Sequence, residues 1–230
     1  MKALLLAAGL GSRLGSITTN IPKPLVMIKG KPVIDYLICK LINLNISHIY
    51  INTHYKKESI KNFIANARYP IEISVIHEEK LLGTAGTLKS LIDELSSQDF
   101  LVMHADNYFE DNLINLKNKH LEQDRNVLIT MGTTKVNSPL DFGTVTLSKK
   151  GIVENFYEKD INSPSLIANT AIYFMKPEIS EIVKQLPESQ NDISLHLVPK
   201  LIGKIRAEPI EGYFYDIGTP DKLKLAMEQN

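Results

Sequence analysis

The chain has 230 residues, 43% of them hydrophobic and 23% charged, enough to bury a substantial core and ordinary for a soluble globular protein. Lysine and arginine number 26, as do aspartate and glutamate, so the net charge is zero, which argues against general nucleic-acid or anionic-membrane binding. The single cysteine, Cys39, excludes an internal disulfide framework and any multi-cysteine metal centre, and fits a reducing compartment.

Met1-Lys2 followed by Ala3 to Ala8 resembles a short signal segment. Its only charge is Lys2, however, and the apolar run stops before Gly9, Gly11 and Arg13. It reads instead as an opening buried strand, Lys2 to Ala7. No apolar run approaches the ~20 residues that span a bilayer. A cytoplasmic, membrane-free protein is expected.

A glycine-bearing loop follows and runs through Pro22-Lys23-Pro24. Pro32 stands where a helix can begin, and Val33, Leu37, Ile38, Leu41 and Ile42 recur at helical spacing. Cys39 falls on that stripe and is expected in the core. His48 to Asn52 predicts a second strand, Ser59 to Ala67 a short helix, and Ile71, Ile73 and Val75 a third strand by alternation. Gly83 to Leu95 reads as loop then helix, Phe100 to Ala105 as a fourth strand, and Val127 to Met131 as a fifth. This alternation predicts a mostly parallel sheet with helices on both faces. The second half is mixed. Gly143 to Leu147, Ile152 to Tyr157 and Ala171 to Phe174 read as short strands. Pro177 to Leu186 and Asp192 to Leu201 read as helices, and Ile205 to Pro209 and Tyr213 to Tyr215 as strands. Thr219 with Pro220 opens a last helix. There is no repeat and no linker, so one domain over residues 1–230 is expected.

The densest local signal is Leu6-Ala7-Ala8-Gly9-Leu10-Gly11-Ser12-Arg13-Leu14, followed by Pro22-Lys23-Pro24-Leu25. Two glycines after a strand let backbone N–H groups approach a phosphate, Arg13 adds a planar set of donors, and Lys23 adds a point charge. Together they suit a triphosphate. The dinucleotide fingerprint is not met, because Leu14 stands where its third glycine belongs and Gly15 is one residue late; that disfavours an oxidoreductase. No Walker A run occurs. Asp106, after the fourth strand, sits at the carboxyl edge where open α/β sheets place ligands, and its hard oxygens suit Mg²⁺. His77-Glu78-Glu79 is not H-E-x-x-H, and no G-x-S-x-G elbow is present.

These segments resemble the sugar-1-phosphate nucleotidyltransferases. Their signature is matched by Gly9 to Leu14, Pro22 to Leu25 and Gly30-Lys31-Pro32. The match continues in the family's order through Leu82 to Gly86, Ala105-Asp106, Phe142-Gly143, Glu158-Lys159, Asn169 and Asp216 to Pro220. The length and ending look most like the short mannose- or heptose-1-phosphate guanylyltransferases. No left-handed β-helix extension is seen, so a bifunctional type is not expected. The resemblance implies a Rossmann-like three-layer α/β/α fold with a mostly parallel mixed central sheet. Its nucleotide-binding half would cover about residues 1–125 and its sugar-phosphate half about 126–230. It also implies condensation of an NTP with a sugar 1-phosphate, helped by Mg²⁺ or Mn²⁺, in an enzyme that could be a homodimer.

By that resemblance Asp106 and Asp216 hold the metal, and Arg13, Lys23, Asp106 and Lys159 are catalytic. The nucleotide meets Leu6, Ala7, Ala8, Gly9, Gly11, Ser12, Arg13, Lys23, Glu78, Gly83 and Thr84. The sugar phosphate meets Asn107, Gly143, Glu158, Lys159 and Asn169. Thr170 stands where the family commonly has glycine, and its side chain is expected to narrow the sugar pocket. Base recognition is expected around Glu78, Glu79 and Gly83-Thr84. A carboxylate accepts both donors of guanine, which leans the reading toward GTP. The alternatives are uridylyl or thymidylyl transfer, or a non-catalytic sugar-nucleotide-binding subunit.

Overall fold

A computed structural model describes residues 1–228. In chain order the main elements are β1 (Lys2–Leu6), α1 (Val33–Asn43), β2 (His48–Thr53), α2 (Lys57–Ala67), β3 (Glu72–His77), α3 (Thr84–Ser90), β4 (Phe100–His104) and β5 (Asn107–Phe109). There follow α4 (Ile114–Leu121), β6 (Ile129–Lys135), β7 (Gly143–Leu147), β8 (Val153–Glu158), β9 (Ile167–Met175), α5 (Ile179–Lys184), β10 (Ile205–Pro209), β11 (Phe214–Asp216) and α6 (Pro220–Glu228).

The chain forms two compact units from interleaved segments. The first takes Met1–Leu81, Met103–Asn112 and the chain from Gly212 onward; the second takes Leu82–Val102 and Leu113–Glu211. In the first unit the strand order is β1-β2-β3. Strands β1, β2 and β3 run parallel, with Leu6 opposite Asn52 and Asn52 opposite Ile76. Ala3, Leu4 and Leu5 in β1 and Ile49 and Ile51 in β2 are almost wholly buried, as parallel strands between covering layers require. Helix α1 follows Pro32, whose extended backbone caps it, and buries Val33, Ile34, Leu37, Ile38 and Leu41 at the predicted spacing. Each such side chain contributes about 1.5–3 kcal/mol. Cys39 is exposed, contrary to expectation, because it lies one position past Ile38 on the outer side of the apolar stripe.

In the second unit the order is β8-β7-β9-β4, and β6 pairs with β9 and β10. β6–β10 is parallel; β6–β9, β7–β8 and β7–β9 are antiparallel. The whole is the mixed α/β architecture expected. The region 192–201 is not a regular helix. It is a π turn, Ile193–Leu197, followed by a 3₁₀ turn, Val198–Leu201. Asp192 caps it by accepting from the Leu195 N–H at 2.9 Å, and Pro199 has no N–H with which to continue an α-helical ladder.

Candidate active site

The glycine loop of the first unit begins where β1 ends. Gly11 has φ +66°, and a Cβ there would meet Thr18 Cγ2 at 3.1 Å and the Lys23 Cβ at 3.3 Å. Glycine is therefore required twice over, for the left-handed backbone and for the close approach of Lys23. The Thr18 hydroxyl donates to the Gly11 carbonyl at 2.8 Å, and the Leu14 N–H closes the turn onto the same carbonyl at 3.0 Å. Arg13 in this turn is exposed, and its Nη2 lies 3.0 Å from where a Gly218 Cβ would be, beside Asp216.

Lys23 opens a short 3₁₀ turn after the extended Pro22, and its side chain is buried. Its ammonium donates to Asp106 Oδ2 and lies 3.5 Å from Asp216 Oδ1. The two aspartates are brought together by a short ribbon. β11 pairs antiparallel with β5, setting Asp216 opposite Asn107, and the Ile217 N–H donates to the Asp106 carbonyl at 3.0 Å. The Ala105 N–H in turn donates to the Leu6 carbonyl at 3.0 Å, tying Asp106 to the base of the glycine loop. Burial pushes the Asp106 carboxyl up, but the charge of Lys23, with His104 and the Lys23 hydrogen bond, outweighs it and holds the group below the usual carboxylate range.

Asp216 Oδ1 is buried and accepts no hydrogen bond. An orphaned carboxylate oxygen beside a second carboxylate fits a divalent cation. No cluster of three metal-ligating side chains occurs among the described residues, so a cation there would draw its remaining ligands from phosphate oxygens and water.

At the carboxyl edge of β1, β2 and β3, Asn52 is almost fully buried. Its Oδ1 accepts from the Ala7 N–H at 2.7 Å and its Nδ2 donates to Glu78 Oε1 at 2.8 Å. Glu78 is 5% exposed, while Glu79 is exposed, so the structure separates the two acids of the predicted pair. The Glu78 backbone is held on both sides: its N–H donates to the Thr53 carbonyl at 2.8 Å, and its carbonyl accepts from His54 Nδ1 at 2.7 Å. Leu6, Ala7 and Ala8 lead into the loop, and Gly9 and Ser12 are exposed on it.

In the second unit Gly83 has φ +76°, and a Cβ there would collide with the Asn191 carbonyl oxygen. Thr84 is tied to the same segment: its hydroxyl accepts from the Ile193 N–H at 2.8 Å. Gly143 faces Glu158 across β7–β8, and a Cβ on it would strike the Phe156 ring and come within 2.7 Å of Glu158 Oε2. Burial raises the Glu158 carboxyl, an effect partly offset by Lys159 and reinforced by Asp192. Lys159 has φ +50°, and its half-exposed side chain places Nζ 3.8 Å from Glu158 Oε1. The Asn169 Nδ2 donates to the Tyr173 hydroxyl at 2.6 Å, and its Oδ1 accepts from the Ala171 N–H at 2.9 Å. That second bond supports Ala171 at φ +55°, inside the irregularity in the β6–β9 register. The Thr170 side chain is buried and donates to the Gly132 carbonyl at 2.7 Å.

Sequence reasoning passed over Asn52 and the ribbon that delivers Asp216. The signal for Asn52 was available, as a polar amide ending an otherwise apolar buried strand. β5 left no signal of its own, being three residues of NYF.

Residues 2–230 match the family profile described as nucleotidyl transferase. The chain belongs to the nucleotidyl transferase family. The bifunctional protein GlmU of Methanococcus aeolicus is 31% identical over 224 residues, covering 96% of this chain and 52% of its own. Mannose-1-phosphate guanyltransferase beta-A of Xenopus laevis is 29% identical over 239 residues, covering 99% of this chain and 64% of its own. The chain thus spans about half the length of the GlmU relatives it matches. Among solved structures, HddC from Yersinia pseudotuberculosis, also solved with GMP-PN, is similar with a TM-score of 0.82 and 26% identity over 99% of this chain and 98% of that one. A Bacillus anthracis protein described as a glucose-1-phosphate thymidylyltransferase shares the fold with a TM-score of 0.86 at 23% identity, over 100% of this chain and 96% of that one. The motif resemblance and the nucleotidyl transferase fold agree. No helix among the described residues is long and apolar enough to cross a membrane.

Proposed function

We propose that this nucleotidyl transferase moves a nucleotidyl group from an NTP, GTP by preference, to a sugar 1-phosphate. A phosphate oxygen of the sugar attacks the α-phosphorus, the bond to the bridging oxygen of the β-phosphate breaks, and pyrophosphate leaves with that electron pair. The nucleophile is already an anion, so no general base is required, and the task is positioning and charge neutralisation. The observation that carries this reading is the meeting of Lys23, Asp106 and Asp216 beside the glycine loop.

In this reading Asp106 and Asp216 hold Mg²⁺, which neutralises phosphate charge when bound. Arg13 and Lys23 receive the triphosphate, Lys23 exchanging carboxylate for phosphate oxygens as the nucleotide enters. In the second unit, Lys159 is assigned to the sugar phosphate and Glu158 and the backbone at Gly143 to sugar hydroxyls. Asn169 supports that region through Tyr173. Two points support the guanine preference: the buried Glu78 carboxylate, which can accept from both donors of guanine, and the guanyltransferase among the relatives. A panel of NTPs against sugar 1-phosphates with Mg²⁺, read by pyrophosphate release, tests the proposal. Release with GTP and a hexose or heptose 1-phosphate is expected. No release from any pair overturns the reading, and release with UTP or dTTP alone overturns the base assignment.

A further inference from the structure

We propose that Asn52 is a positioning residue for nucleobase recognition: its amide locks the start of the glycine loop and the Glu78 carboxylate in one fixed relation. The inference deepens the proposed function and rests on it.

Three adjacent parallel strands end at one edge. Asn52, in the middle strand, stands opposite Leu6 of β1 and Ile76 of β3. The loop begins one residue after Leu6, and Glu78 follows two residues after Ile76. Asn52 is therefore a polar side chain that joins the two segments that the reading assigns to the nucleotide. Its orientation is set by its partners. The Ala7 N–H can only donate, so the amide oxygen faces it at 2.7 Å; an ionised Glu78 can only accept, so the amide nitrogen faces it at 2.8 Å. No rotation of the amide satisfies both partners in another way. All this happens at 3% exposure for Asn52 and 5% for Glu78, where water competes little and each bond is at its most directional.

A base is discriminated by acceptors held at fixed positions, because a misplaced acceptor gives up its preference for the right donor pattern. Asn52 does this for Glu78 without touching the base. It also makes the loop backbone and the carboxylate move together.

Asn52→Asp separates these roles. It keeps an acceptor for the Ala7 N–H but replaces the donor to Glu78 with a repelling carboxylate. Asn52→Asp/Glu78→Gln restores a donor–acceptor pair with the polarity reversed. Calorimetric titration of GTP and UTP, each with Mg²⁺, into the wild type, both single variants and the double variant reads the ratio of affinities and the coupling between the two positions. We expect Asn52→Asp to cut the wild-type ratio by about tenfold or more. Its KM for the preferred NTP should rise while kcat at saturation and the sugar-phosphate KM hold, and the double variant should bind NTP more tightly than Asn52→Asp alone. Thermal unfolding shows that each variant is folded. Were Asn52→Asp unfolded, Asn52→Ala and Asn52→Ala/Glu78→Gln would complete the cycle and report the coupling. An unchanged ratio, equal losses for both nucleotides, or strictly additive effects at positions 52 and 78 would overturn the inference. A wild type that binds no NTP overturns the proposed function itself, which is a different result from selective binding that Asn52→Asp leaves intact.

Discussion

The buried ammonium of Lys23 donates to the carboxylate of Asp106, so a cation of the protein's own stands between the two aspartates that suit a metal. Breaking a buried pair by removing one partner costs about 3–5 kcal/mol, since the other charge is left uncompensated. Asp216 remains near Lys23, which lowers that cost. Asp106→Asn is therefore expected to lose about 1–3 kcal/mol of stability and most of its turnover. Lys23→Met/Asp106→Asn should recover stability but not turnover. Urea unfolding with parallel kinetics checks this, and additive stability losses would show that the two side chains are not coupled.

The same geometry governs cation binding. With Lys23 in place, the bare protein should bind Mn²⁺ weakly. Lys23→Met leaves two carboxylates without their ammonium, and Mn²⁺ affinity without nucleotide should rise by about tenfold or more. Electron paramagnetic resonance of free Mn²⁺ reads this directly. Equal affinity in both proteins would mean that ammonium and metal do not compete.

Lys159→Ala addresses the other substrate. The side chain is more than half exposed and its pairing with Glu158 is loose, so its removal should leave stability within about 0.5 kcal/mol. Loss of one charge-assisted phosphate contact should raise the sugar-phosphate KM by about 10- to 150-fold. NTP–Mg²⁺ binding by calorimetry should be unchanged; a variant that fails to bind NTP would contradict the assignment.

Stability should also depend on pH through His120. Its ring is fully buried, Nδ1 lies 3.0 Å from Thr130 Oγ1, and Nε2 has no hydrogen-bond partner, with Asp99 Oδ2 at 3.5 Å. Burial, with a lesser contribution from Lys176, lowers its pKa from 6.5 to about 4. Between those values the unfolded chain binds the proton and the folded one does not, so stability falls as pH drops from about 6.5 toward 4, by roughly 2 kcal/mol at pH 5. His120→Gln should remove that part of the slope. Urea midpoints at pH 7 and 5 for both proteins test it, and identical slopes would place the titration elsewhere.

The elements of the first unit were legible because their signals are local. α1 shows helical spacing after a proline, and β1 and β2 are short apolar runs. Lys23, Asp106 and Asp216 were legible one at a time. The family resemblance implied that Asp106 and Asp216 meet at a metal, but no local pattern did, because their approach depends on the pairing of β5 with β11, two three-residue strands far apart in the chain. Asn52 was read only as the end of a strand, since hydrogen bonds to Ala7 and Glu78 leave no periodic trace. The Thr170 contact was illegible for a related reason. A residue in a register irregularity does not follow strand alternation, and its hydroxyl turned to the Gly132 carbonyl.

The delivery of Asp216 by a late segment bears on how the protein is made. Every residue of the second unit leaves the ribosome before the chain from Gly212, which completes the first. Until that segment emerges, Lys23 and Asp106 wait without their third partner and β5 lacks its pairing strand. A nascent chain can thus finish its second unit while its first is still open, and the triad of charges forms only after Asp216 has emerged. Stalled or prematurely terminated chains would carry the glycine loop yet lack the paired aspartates, so incomplete copies cannot assemble the cluster on which turnover is proposed to depend.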